Sequence, residues 1–259
     1  MPFETLPAGL LAWLILVIVF AGVIQGAIGF GFPFVATPLI AMTSDMRTAV
    51  ITVLLPTLAL TVSNLAASGP LAPVLRRFWM MPLYAIAGSA AGTWLFVAAP
   101  RVPYSLLLAL ITLAYLNLDR MGRGERPLAR RHERAFAPLS GFAAGVFEGT
   151  ANVAAPPLII FYLALGLTPA MLVQALNLCF LAGKATQFTV LATRGGIGLA
   201  QWMATVPFAA IAVAAFFAGL RIRNRIDART FRAWVKRALL VIALVLLAQY
   251  AYSLLAREA

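Results

Sequence analysis

The sequence has few of the side chains with which enzymes and metal centres do their chemistry. It contains one histidine, His132, one cysteine, Cys179, and eight acidic residues. A single cysteine excludes a disulfide within the chain, and one histidine with one cysteine excludes a His/Cys metal cluster. The sequence also has no P-loop for ATP and no Ser/His/Asp set at membrane depth. It therefore predicts neither an enzyme nor a metal or other cofactor.

The chain is rich in long apolar stretches. Of its 259 residues, 63% are hydrophobic, and the mean hydropathy is +0.94. Soluble domains are nearer ~45–50% apolar, so a soluble fold is excluded. Stretches long enough to span a bilayer recur along the chain, which predicts an all-α polytopic membrane protein. These stretches are 8–28, 48–67, 78–98, 102–118, 170–192, 199–220 and 238–256.

The formal charge of +12 is concentrated in loops. Three segments, 76–77, 120–134 and 221–237, hold 15 of the 20 Lys and Arg residues. Basic residues of membrane proteins collect in cytoplasmic loops, which accounts for the charge without a nucleic acid partner. We therefore expect these three loops to be cytoplasmic, and the number of crossings between them then places both termini in the periplasm.

One apolar segment rich in glycine and proline occurs twice. Residues 22–40 read GVIQGAIGFGFPFVATPLI, and residues 141–159 read GFAAGVFEGTANVAAPPLI. Paired breaks of this kind predict an inverted-topology repeat, although chance matches between apolar sequences are the alternative. Each half would be a broken, re-entrant-like helix pair followed by three spanning helices. The division predicted is a first repeat at 1–118, a basic cytoplasmic linker at 119–135 and a second repeat at 136–259.

The breaks themselves are predicted to bind a ligand. Glycine and proline free backbone groups, which inside a membrane must line a cavity enclosed by protein. Half-helices beginning near Phe34 and Val153 would present free N–H groups, and helix N-termini favour anions. Close helix packing is the alternative role of such glycines, and we favour it for Gly22, Gly88, Gly92 and Gly141. The substrate-binding candidates at the breaks are Gly29, Gly31, Phe32, Pro33, Gly149, Thr150 and Asn152.

Lys184 and Glu148 are the two charged side chains inside apolar stretches near these breaks. A charge at that depth is costly, so Lys184 is expected to face the interior of the helix bundle. It would either attract an anionic substrate or pair with Glu148. Glu148 is also the candidate for carrying a coupled proton, because burial favours the neutral form of a carboxyl group.

Uncharged polar residues in the same stretches complete the candidate site. Asn64 and Gln187 coincide when the two halves are aligned. Hydrogen bonding between helices is the ordinary role of such residues, and substrate contact is the functional alternative. The residues concerned are Gln25, Asn64, Asn177 and Gln187.

The two broken segments resemble those of the TauE/SafE-type sulfite exporter family, also called the toluene sulfonate uptake permease family. The resemblance is carried by Gly26-Ala-Ile-Gly-Phe-Gly-Phe-Pro with Thr37-Pro-Leu, and by Gly145-Val-Phe-Glu-Gly-Thr-Ala-Asn with Pro156-Pro-Leu. It implies a multi-pass protein of the bacterial-type inner membrane with about eight transmembrane segments. It also implies export or uptake of sulfite, sulfonates or related organosulfur anions.

Taken together, these features predict a secondary transporter of a small anion, most simply an exporter, with its site at the midplane between the two broken helix pairs. Two other functions remain open at this point. One is a membrane subunit that scaffolds a partner without transporting. The other is a proton or cation pathway that uses Glu148 and Lys184. The oligomeric state is not predicted.

Overall fold

The structure is a computed structural model that describes residues 7–41, 43–99 and 132–223, with scattered positions between 106 and 113 and between 230 and 252. These three continuous ranges form ten helices and contain no strand. The helices are α1 (Ala8–Ile28), α2 (Phe32–Ala41), α3 (Met46–Ala67), α4 (Ala72–Phe78), α5 (Met80–Ala98), α6 (Glu133–Ala151), α7 (Ala155–Ala164), α8 (Pro169–Arg194), α9 (Leu199–Ala204) and α10 (Val206–Arg223).

Five of the described helical segments are long and apolar enough to cross a membrane. They are Ala8–Ile28, Met46–Ala67, Met80–Ala98, Pro169–Arg194 and Leu199–Arg223. This confirms the prediction of an all-helical, multi-pass membrane protein. Much of the predicted spans 102–118 and 238–256, most of the linker 119–135 and part of the basic segment 221–237 lie outside the described residues.

The first predicted break separates two antiparallel helices. α1 ends at Ile28 and is capped by Gly29, which adopts the left-handed conformation with φ 92°, and Gly31 follows with φ 119°. Glycine reaches these angles without the clash that a Cβ atom would cause. α2 then returns along α1, since Ile18 and Leu14 share one apolar cluster with Ala36 and Ile40.

The second break separates α6 from α7 and is made differently. α6 ends at Ala151 and is capped by Asn152, which has φ 60° and is the one non-glycine residue with a positive φ in the described part of the chain. Its backbone N–H donates to the Glu148 carbonyl oxygen at 3.0 Å. Asparagine is among the few residues other than glycine that visit the left-handed region, so it can end a helix at this point.

Two helix pairs pack closely through glycine. α1 lies along α10, where a Cβ atom at Gly26 would come within 2.8 Å of the Leu220 nitrogen. α6 lies along α5, where a Cβ atom at Gly92 would come within 2.8 Å of Val146 Cα. Small residues allow helix backbones to approach in this way. The packing role predicted for Gly22, Gly88, Gly92 and Gly141 is confirmed, because each of these glycines contacts the facing helix.

α3 and α8 occupy the centre of the described bundle. They pack against each other, and α3 also contacts α10 while α8 also contacts α5. Asp45 caps the N-terminus of α3, and its side chain accepts a hydrogen bond from the Thr48 backbone N–H at 2.9 Å. Partial burial works to raise the pKa of Asp45, but the hydrogen bonds from Thr48 outweigh it and lower that pKa below its ordinary value. α3 and α8 are thus the two central helices that the breaks contact.

Candidate functional site

Both helix breaks contact α8, at two levels. At the first break, Asn177 Nδ2 donates to the Gly29 carbonyl oxygen at 2.8 Å. At the second, Gln187 Nε2 donates to the Glu148 carbonyl oxygen at 3.2 Å. Because ten positions of one helix separate the two amides, the breaks lie about 15 Å apart along its axis. The middle of α8 lies between them, so the two breaks flank the centre of a spanning helix.

The first break is satisfied by three side-chain amides. The Gly29 carbonyl oxygen accepts a hydrogen bond from Asn64 Nδ2 at 2.5 Å, in addition to the one from Asn177. Gln25 Oε1 accepts from the Phe32 backbone N–H at 3.0 Å, and Gln25 Nε2 lies 3.5 Å from Asn177 Oδ1. Inside a membrane every freed backbone group needs such a partner. These three predicted amide residues are therefore brought together, and in this conformation they hold the backbone of the break.

The second break is joined to α2 through one side chain. Asn152 Nδ2 donates to Thr37 Oγ1 at 2.7 Å, and Asn152 Oδ1 accepts from the Lys184 ammonium group. Lys184 Nζ also donates to Gln187 Oε1 at 2.7 Å. Since α2 begins at the first break and reaches Asn152 through Thr37, it connects the two breaks directly.

Lys184 and Glu148 form an ion pair in the interior. Lys184 Nζ lies 3.7 Å from Glu148 Oε1, and the two residues are 0% and 2% exposed. The paired arrangement, one of the two roles predicted for Lys184, is thus present in this conformation. Glu148 Oε2 is buried with no hydrogen-bond partner among the described residues. The second break therefore carries a neutralised pair with one free carboxylate oxygen.

Asn64 and Gln187, which coincide when the halves are aligned, make the same contacts. Each amide nitrogen donates to the carbonyl oxygen of a break, Gly29 or Glu148. Each amide oxygen accepts a hydrogen bond from a cation. Gln187 Oε1 accepts from Lys184 Nζ, and Asn64 Oδ1 accepts from Arg223 Nη1 at 2.7 Å. Both breaks are thus connected to a positive charge through a single amide side chain.

Arg223 is a residue of the site that sequence reasoning missed. It stands among seven basic residues of the segment 221–237, and nothing in that segment distinguishes it from a loop charge. Thr37 was missed as well, because a threonine in an apolar helix commonly bonds to its own backbone. Only the folded arrangement brings these two side chains to the breaks.

Two expectations about the second break are wrong. Gly149 and Thr150 belong to α6 and not to the break, which begins at Asn152. A Cβ atom at Gly149 would come within 2.7 Å of the Gly92 carbonyl carbon, so this glycine packs against α5. Thr150 Oγ1 donates to the Val146 carbonyl oxygen at 2.8 Å within the same helix. A glycine that allows close packing and one that allows unwinding look alike in sequence.

The half-helix N-termini are also poorer in donors than the sequence predicts. α2 begins at Phe32 and α7 at Ala155, each two residues away from its predicted start. The Phe32 N–H is occupied by Gln25, and Pro33 has none. In α7 the second and third residues are prolines. Proline lacks a backbone N–H, so the N-termini of α2 and α7 supply few free donors. An anion bound here would therefore depend more on cationic side chains.

The model of one protein family, described as Sulfite exporter TauE/SafE, matches residues 14–247. The matched region contains both breaks, the amides that hold them and the three charged side chains described above. No curated protein and no solved structure matches the chain. With a match over nearly its whole length, the chain belongs to the TauE/SafE sulfite exporter family.

Proposed function

We propose that this protein is a secondary transporter that exports small oxidised-sulfur anions, most simply sulfite or a sulfonate. The observation that carries the proposal is the buried polar network between the breaks, with Lys184, Asn152 and Asn64 each no more than 1% exposed. Polar and charged groups inside a membrane protein are costly and mark transport paths. The closed network corresponds to a state in which the path is shut on both sides.

The substrate would bind between the breaks when one of them opens. The amides and the backbone at each break now satisfy one another, and an oxyanion would replace part of these hydrogen bonds. The short helices α2 and α7 would direct their positive dipole ends toward it. The binding residues proposed are Gln25, Gly29, Gly31, Phe32, Pro33, Asn64, Asn152, Lys184 and Gln187, with Gly149 and Thr150 acting only through packing.

Glu148 is the proposed site of a coupled proton. Its carboxylate neutralises Lys184 at 3.7 Å, so Lys184 offers no net charge to an anion while the pair is intact. A proton on Glu148 would release Lys184 for the substrate. The free oxygen Oε2 favours this role, because it is the atom on which a proton could be placed without displacing a described donor.

The architecture proposed is an inverted repeat with halves 1–118 and 136–259 joined by the linker 119–135. It is supported by the exchange of partners between halves: the first broken helix α1 packs on α10, and the second broken helix α6 packs on α5. α1 and α6 correspond in the repeat, as do α10 and α5. The two helices of each pair run in the same direction. The predicted topology requires this, because it has both helices of a pair cross the membrane in the same direction.

The same proposal fixes the orientation in the membrane. The three basic loops face the cytoplasm, both termini face the periplasm, and the chain crosses a bacterial-type inner membrane with about eight transmembrane segments. The number of basic residues in the loops supports this arrangement. The oligomeric state is left open by it.

Thermal unfolding of the purified protein in lipid nanodiscs tests the proposed function. Sulfite, thiosulfate, sulfate, sulfoacetate and taurine are compared with carboxylate anions and with different cations at constant ionic strength. A ligand present at a hundredfold its Kd should add about 2.7 kcal/mol to the free energy of unfolding. Sulfite efflux from proteoliposomes is measured in parallel. Stabilisation by cations alone, with no sulfite efflux, would favour the proton or cation pathway instead.

A further inference from the structure

We propose that Arg223 is the residue that binds the transported oxyanion at the first break. This inference rests on the proposed function and adds to it the charged ligand and the place of first contact. Arg223 is the last residue of α10, which lies along α1 up to the break.

The geometry places the guanidinium group at the backbone of the break. Arg223 Nη1 donates to Asn64 Oδ1 at 2.7 Å, and Asn64 Nδ2 donates to the Gly29 carbonyl oxygen at 2.5 Å. A Cβ atom at Gly29 would lie 2.5 Å from Val173 Cγ2 and 3.2 Å from Arg223 Nη1, so the absence of a side chain there lets both residues approach the break. The Arg223 side chain is partly buried, which keeps it accessible to a ligand that arrives from one side.

The charge of Arg223 has no carboxylate partner among the described residues. α1 has no ionisable side chain, and the one acidic residue next to α3 is Asp45. Asp45 precedes Asn64 by 19 positions, which is about 28 Å along the helix. Glu148 belongs to the second break and is paired there with Lys184. Among the described residues, the first break therefore carries a positive charge without a carboxylate partner, whereas the positive charge at the second break is paired.

The chemistry of the guanidinium group suits the proposed substrate class. It has five N–H donors, of which the described contacts use one, and it stays charged at any physiological pH. Its planar fork can bind two oxygens of a sulfite or sulfonate at once, which a lysine cannot do.

Anion binding at Arg223 would also affect the break. An oxyanion would compete with Asn64 Oδ1 for the guanidinium group. The Asn64 oxygen would then be held only by Ser68 Oγ, at 3.1 Å, and the hydrogen bond from Asn64 to the Gly29 carbonyl oxygen would weaken, while the one from Asn177 remains. Occupation of the site is thereby linked to loosening of the hinge between α1 and α2.

Three variants test the proposal in nanodiscs, with sulfite affinity measured by calorimetric titration. Arg223→Gln should lower the affinity by at least about tenfold, the effect of losing charge-assisted hydrogen bonds. Arg223→Lys should lower it by less, because it keeps the charge and loses the fork. Arg221→Gln, at an exposed position on the same helix, is the matched control and should bind like the wild type.

The outcomes separate this inference from the proposed function. Wild-type affinity in Arg223→Gln overturns the role of Arg223 and leaves the transporter standing. If Arg223→Gln does not fold, the lysine variant decides, and an unchanged affinity in that variant overturns the proposal. A wild-type protein that binds none of the sulfur oxyanions overturns the proposed function, and the role of Arg223 with it.

Discussion

Lys184 Nζ and Glu148 Oε1 lie 3.7 Å apart in the interior of the bundle, with both side chains almost fully buried. The two residues are brought together by different helices, α8 and α6, and Gln187 contacts both of them. A buried ion pair costs much of its own attraction in lost hydration, so it is weak evidence for stability alone. We propose that its position at a helix break gives it a role in transport, and the first prediction separates this role from its contribution to stability.

Lys184→Met should destabilise the protein by about 3–5 kcal/mol, because it leaves the Glu148 carboxylate buried without a partner. The double variant Lys184→Met with Glu148→Gln should recover most of this loss, since no buried charge is left. Thermal unfolding in nanodiscs measures both effects. Sulfite efflux in the double variant then reports function: efflux that stays lost in a stable protein supports direct roles for these residues in transport.

The exposed pair Arg77 and Glu133, 3.3 Å apart, is the control for the ion-pair effect. Arg77→Gln should change stability by no more than about 1 kcal/mol, because solvent screens a surface pair. An unfolding temperature of Lys184→Met as high as that of Arg77→Gln would contradict a buried, energetically coupled pair.

Asn152 should be replaceable by glycine at lower cost than by alanine. Both changes remove the hydrogen bonds to Thr37 and Lys184, but only alanine is strained at a φ of 60°. The left-handed conformation costs roughly 1–2 kcal/mol for a residue with a Cβ atom. The expected order of thermal stability is wild type, then Asn152→Gly, then Asn152→Ala. Equal stability of the two variants would mean that the break relaxes to another backbone conformation.

Gly92→Ala should weaken the contact between α5 and α6. Its Cβ atom would lie within 2.8 Å of Val146 Cα, so the two helices would have to separate. Gly198→Ala is the matched control, because nothing lies within 4 Å of a Cβ atom there and the φ of Gly198 is −75°. The measurements are the yield of folded protein and its unfolding temperature. A loss of stability in the control as large as in Gly92→Ala would refute the packing explanation.

Gly31→Leu and Gly149→Leu should fail in different ways. The nearest atom to a Cβ at Gly31 is Ile24 Cγ2 at 3.4 Å, so the variant is expected to insert and to lose transport through strain at the break. Gly149 faces the α5 backbone within 2.7 Å, so its variant should not assemble. Membrane insertion, size-exclusion profile and sulfite efflux distinguish the two. Normal efflux in Gly31→Leu would show that the first break takes no part in transport.

A cysteine introduced at His132 should react with a membrane-impermeant maleimide only after the cells are opened. The prediction follows from the basic segment 120–134, which we place in the cytoplasm. The native Cys179 is 1% exposed and should give little background. Labelling of His132→Cys in intact cells would invert the proposed orientation.

The spanning helices and the first break could be predicted from the sequence because each has a local signal. Apolar length marks the spans, and Gly29 and Gly31 mark the unwound residues. For the second break the sequence indicates Asn152 correctly but predicts too early a start, because Gly149 serves packing and lies within the helix. Arg223 was not predicted, since its role depends on Asn64, which is 159 positions away in the chain. Contacts of this kind arise only from the fold.

The close glycine contacts also determine which parts of the molecule can separate. The broken helix α1 of the first half packs on α10 of the second half. The broken helix α6 of the second half packs on α5 of the first half. A cut between residues 99 and 132 would therefore leave the two partners of each tight helix pair on different fragments. Two fragments made separately would each expose a glycine-lined face, and those faces should make them reassemble. The boundary between the two halves of the sequence therefore does not coincide with the boundary between the two tight helix pairs.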